Sequence, residues 1–97
     1  MLSMGEYIKL LLKKRGLTVA ELARMMTQEE RNHGSSITIT RTHLCPEIKS
    51  SKISVERARK IEIALKLPKF QLVNMINPNL TKKHIELLEN VYKIKSE

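Results

Sequence analysis

Apolar residues recur every three or four positions through most of this chain, the period of helices that bury one face. The first such segment predicts a helix over residues 3–15, with Ile8, Leu11 and Leu12 inward and Lys9, Lys13, Lys14 and Arg15 outward. Ser3 and Glu6 have the spacing of a capping box, and Leu2 and Tyr7 that of a hydrophobic staple. Gly16 stands where a helix end takes a positive φ. A second helix opens at Thr18, with Thr18 and Glu21 as another capping box and Val19, Leu22, Met25 and Met26 facing inward. No breaker follows until Gly34, so this helix is expected to run on toward His33 and to end at a Gly34 cap. Residues 35–40 alternate Ile37 and Ile39 with polar residues, which predicts a short extended link rather than an independent strand.

A third helix is expected over residues 40–49, capped by Thr40 and held down by Leu44 and Ile48. Arg41, Thr42, Cys45 and Lys49 then face outward. Pro46 leaves two readings, because proline removes a backbone bond inside a helix. Either the helix starts nearer Thr42, with Arg41 in the lead-in, or it is kinked. A fourth helix spans residues 54–67, with Val55, Ala58, Ile61 and Leu65 inward. A short fifth begins near Pro68 and buries Phe70, Leu72, Val73 and Ile76. Asn77-Pro78-Asn79 is a turn signal, and Thr81 caps a last helix reaching to about residue 95. The expected organisation is one domain over residues 1–76 and an appended helix over 77–97.

Charge narrows the function. The 97 residues carry 18 Lys and Arg against 10 acids, all Glu, for a net charge of +8. Such a balance favours an anionic partner, nucleic acid before acidic lipid. One Phe and two Tyr offer little surface for stacking unpaired bases, which favours duplex DNA over RNA. Cys45 is the only cysteine and has no internal disulfide partner, in keeping with a reducing, cytoplasmic location. The apolar runs are too short to span a membrane, and the first residues lack the pattern of a signal peptide. No Gly-rich phosphate loop, paired catalytic carboxylates or cofactor motif appears. His43 and Cys45 stand two apart, but His33 and His84 lie on other elements and do not complete a zinc set. Cys45 lacks the His–acid partners of a nucleophile. The expectation is a protein without enzyme activity, metal or cofactor.

A helix that reads DNA needs polar or basic residues on its first turn and an apolar underside. The third helix has both. Thr40, Arg41, Thr42 and His43 occupy its start, Arg41 with the geometry to pair with guanine and Thr42 to contact a thymine methyl. Lys49, Ser51 and Lys52 follow it, and Thr18 opens the second helix; these complete the candidate DNA-contacting set. At the far end, Ile85, Leu88, Val91 and Tyr92, widened by Leu87 and Ile94, give the last helix a broad apolar face. Two readings of that face stay open: packing on its own domain, or pairing with a second copy.

Three segments together carry a family resemblance. They are Gly16-Leu17-Thr18-Val19-Ala20-Glu21-Leu22-Ala23, then Thr40-Arg41-Thr42-His43-Leu44, then Ile53-Ser54-Val55-Glu56-Arg57-Ala58-Arg59-Lys60-Ile61 with Ala64-Leu65-Lys66-Leu67. In this order the chain resembles the Cro and phage-repressor, or Xre-type, helix-turn-helix family over roughly residues 5–76. The resemblance implies an all-α, five-helix repressor-like DNA-binding domain, here with a C-terminal helix. It also implies a homodimer that reads a palindromic operator through its third helix. Three features depart from the pattern. Val19 stands where the family often has Gln, Ser50-Ser51 stands where it often has Gly, and residues 27–39 form an insertion between helices two and three. The expected function is a small transcriptional repressor, with a protein partner such as a toxin among the contexts open to it. The alternative is a protein-interaction module that keeps the fold without reading bases.

Overall fold

The computed structural model describes residues 2–92 and folds them into six helices with no strand among the described residues. These are α1 (Met4–Lys14), α2 (Val19–Asn32), α3 (Arg41–Ser50), α4 (Val55–Leu65), α5 (Gln71–Ile76) and α6 (Lys82–Glu89). The fold is all-α. Four helices begin on a hydroxyl that accepts the third N–H of the helix, which fills a donor that the helix itself leaves empty. Ser3 does this for Glu6 at 3.2 Å, and Thr18 for Glu21, Ser54 for Arg57 and Thr81 for His84 at 3.1 Å each. Glu6 and Glu21 reach back to close their boxes, accepting from Ser3 N–H at 2.9 Å and Thr18 N–H at 2.8 Å. Those backbone bonds, then the hydroxyls, hold both carboxyls below the usual carboxylate range. Both caps are therefore in place above the ordinary Glu pKa, and they weaken as pH falls through the lowered value.

Gly16 and Gly34 end α1 and α2 with φ of 67° and 81°. Past each glycine the chain turns back in a six-to-one bond, Leu17 N–H to Leu12 O at 2.9 Å and Ser35 N–H to Glu30 O at 2.8 Å. Ile8, Leu22, Met26, Leu44, Ile61 and Leu72 are fully buried and join α1 through α5 into one core.

α3 starts at Arg41 with Thr40 at its N-cap position, as expected, so Arg41 is the first residue of the helix and not part of a lead-in, and Pro46 sits inside it. Other boundaries differ from the sequence expectation. α5 starts at Gln71 rather than near Pro68, because residues 69 and 70 form a turn in which Phe70 takes φ 65°. Phe70 has no side chain to cap with, and Glu62 of α4 takes over that task. Its buried carboxylate accepts from Phe70 N–H at 2.9 Å, Leu72 N–H at 2.6 Å and Val73 N–H at 2.9 Å. Arg59 donates to the same carboxylate at 3.1 Å.

α6 ends at Glu89, well short of residue 95, with Asn90 as its cap; Ile94 lies outside the described residues. The core does not close at Ile76. Leu88 and Tyr92, candidates for a dimer face, are only 2% and 8% exposed within their own chain. Ile85 and Val91 are half-buried, while Leu87 is 60% exposed. No helix among the described residues is long and apolar enough to cross a membrane.

Candidate nucleic-acid interface

The position of α3 depends on how the chain returns from α2. Thr27 lies in the third turn of α2, and its hydroxyl accepts from Ile39 N–H at 2.8 Å and donates to Ile39 O at 2.9 Å. Residues 33–38 therefore leave the end of α2 and bring the chain back to the level of Thr27, inside that helix. Arg31 organises the return, donating to Ser35 O at 3.0 Å, Ile37 O at 2.7 Å and Thr38 Oγ1 at 2.8 Å. As a result α3 begins beside the third turn of α2. The excursion leaves the two helices in contact.

The far end of the excursion is braced by α4 and by the segment after α6. Glu30 is 1% exposed and accepts from Lys60 Nζ at 2.7 Å. The His33 ring stacks on Tyr92 with centroids 4.4 Å apart, and the Lys60 ammonium lies 5.1 Å from the Tyr92 centroid. Burial, then the nearby charges of Glu30 and Glu29, push the Tyr92 hydroxyl well above its ordinary pKa. Replacing Thr27 with Val keeps the shape and removes both bonds to Ile39. The expected cost is about 2 kcal/mol for the two bonds together. Denaturant unfolding measures it, with faster amide exchange at Ile39 as the local sign; unchanged exchange there would show that the link is held by something else.

On α3, Leu44 and Ile48 are buried, and Thr40, Arg41, Thr42, His43 and Lys49 are exposed, as is Lys52 beyond it. The structure thus brings the expected first-turn residues together over the expected apolar anchor. His43 turns back on the helix start, where its Nδ1 accepts from Thr40 N–H at 3.3 Å and lies 3.1 Å from Thr40 Oγ1. An imidazole here does what Glu6 and Glu21 do in α1 and α2. With Nδ1 accepting, the neutral ring carries its proton on Nε2. Glu47, the one acid of α3, is held by Arg57 of α4 through bonds of 3.1 and 3.4 Å.

Two members of the candidate set are bound into the fold. Ser51 ends α3 with φ 58°, and its half-buried hydroxyl accepts from Gly5 N–H of α1 at 3.0 Å. That bond braces α1 against the end of α3. The Thr18 hydroxyl is engaged by the α2 cap, although the residue is exposed. Cys45 is half-buried, and no three His, Cys or Glu side chains converge on a metal position among the described residues.

Sequence reasoning missed Gly5, Thr27 and Glu62. Gly5 lacks the side chain that would collide with α3, whereas Thr27 and Glu62 act on backbone 8 to 12 residues away. A threonine or glutamate on the inner side of an amphipathic helix was the only available signal for the latter two. Neither a family model, nor a curated protein, nor a solved structure matches this chain.

Proposed function

We propose that the protein is a sequence-specific regulator that binds duplex DNA, with α2 and α3 as a helix-turn-helix and α3 as the reading helix. The observation that carries this reading is the Thr27–Ile39 pairing, which returns α3 to α2 across the insertion. The first turn of α3 then presents Arg41 and Thr42 for base edges, while Lys49 and Lys52 supply phosphate contacts. The exposed part of α3 is polar and basic, which favours nucleic acid over a protein-interaction module that would expose apolar side chains there.

A homodimer on a palindromic site would place two reading helices about 34–36 Å apart. It would have to be built on exposed Leu87 with the half-buried Ile85 and Val91, because Leu88 and Tyr92 are spent within one chain.

The test is fluorescence anisotropy on duplexes selected from a random pool, repeated at rising salt. Affinity should fall with a log–log slope of about 0.9 per contacted phosphate. Arg41→Ala should cost about 1–3 kcal/mol on the selected site and relax its sequence preference. A protein that binds no duplex even at low salt would not be the regulator proposed.

A further inference from the structure

We infer that the groove between α2 and the start of α3 seats the sugar–phosphate backbone of one DNA strand, with Arg24 holding a phosphate. The inference rests on the DNA-binding reading and adds a contact surface that the reading helix does not include. The groove has a volume of about 520 Å³, far more than a single phosphate ion fills. Ala20, Ala23 and Ile39 line its apolar side, and Arg24 and Arg41 both line it, with no acid among the lining residues. Glu21, one turn before Arg24, has its carboxylate on Thr18 N–H at 2.8 Å.

The arginines sort themselves by what they do. Arg15 donates to Leu65 O, Arg31 to the returning link, Arg57 to Glu47 and Arg59 to Glu62. These four serve the fold. Arg24 and Arg41 have no hydrogen bond or ion pair among the described residues, both are exposed, and both border this one groove. A deoxyribose–phosphate strand matches that combination, with an apolar sugar against alanines and isoleucine and an anion against a guanidinium. Arg24 then holds the backbone, and Arg41, also at the groove, stands at the step from backbone to base edge.

The experiment compares wild type, Arg24→Ala, Arg24→Lys and Ala20→Leu by anisotropy on selected and unrelated duplexes over a salt series, with melting temperatures as the fold control. Arg24 makes no hydrogen bond or ion pair among the described residues, so Arg24→Ala should melt with wild type. It should weaken binding to every duplex alike and lower the salt slope by about one contact. Arg24→Lys should restore most of the slope, because a phosphate accepts a point charge as well as a fork. Ala20→Leu should weaken binding several-fold without changing the charge, by filling the floor of the groove. If wild type binds DNA and Arg24→Ala keeps both affinity and slope, the groove proposal falls and the helix-turn-helix reading stands. Loss confined to the selected duplex would make Arg24 a base reader and overturn the phosphate role. Wild type that binds no duplex at low salt would remove both.

Discussion

Glu62→Ala is expected to remove about 4 kcal/mol of folding stability, a large part of the ~5–15 kcal/mol that a domain of this size has in total. The carboxylate is completely buried between α4 and α5. It accepts three backbone N–H groups at the start of α5 and the guanidinium of Arg59. Truncation leaves those N–H groups without acceptors where water does not reach, and each lost partner in such a place costs about 1–3 kcal/mol. It also strands the Arg59 charge, whose Nε already has no partner among the described residues. Glu62→Gln separates the contributions. One amide oxygen can still serve one pair of donors, but the amide NH2 then faces the other pair, so a loss of about 2 kcal/mol is expected. Urea unfolding of the three proteins gives the order wild type, Gln, Ala. A Gln variant as stable as wild type would mean that the carboxylate is not the acceptor that shapes the start of α5.

The comparison of sequence and structure turns on the range of each signal. Ser3, Thr18 and Thr81 were legible as caps because a capping hydroxyl acts three residues away, within one turn of helix. Gly16 and Gly34 were legible because a positive φ at a helix end nearly requires glycine. The start of α5 was not, because its cap comes from Glu62, on a different helix, while Pro68 offered a local signal that the turn at Phe70 overrode. The apolar stripe expected on the last helix is divided, with Leu88 and Tyr92 buried and Leu87 exposed. Its periodicity could not say whose surface it meets, and Leu88 and Tyr92 meet their own chain. For the candidate interface, the exposed start of α3 could be read from the pattern of Leu44 and Ile48. The groove could not, since it depends on the return of Ile39 to Thr27 and so on the path of the insertion.

That dependence makes the seating of α3 the mechanical centre of the molecule, and Gly5 is where α1 holds it. A Cβ added at Gly5 would land inside the van der Waals shell of the Ile48 carbonyl oxygen, and would lie 2.9 Å from the Ile48 carbonyl carbon and 2.8 Å from Ser51 Oγ. Two of those three atoms are backbone and cannot rotate away. Gly5→Ala must therefore push α1 and α3 apart, which also stretches the 3.0 Å bond from Gly5 N–H to Ser51 Oγ. Overpacking of this kind costs on the order of 3 kcal/mol, well above the ~1 kcal/mol that alanine returns through better helix propensity. Gly16→Ala is the instructive partner. Its Cβ would meet nothing within 4 Å, and its only penalty is the φ of 67°. That strain is about 1 kcal/mol. Thermal unfolding should therefore rank wild type above Gly16→Ala and Gly16→Ala clearly above Gly5→Ala. On the proposed DNA-binding reading, the displaced element is α3, so Gly5→Ala should also weaken duplex binding at temperatures where it is still folded, while Gly16→Ala should bind as wild type does. Equal melting of the two alanine variants would show that α1 and α3 can separate at little cost, and that the close crossing at Gly5 does not hold α3 in place.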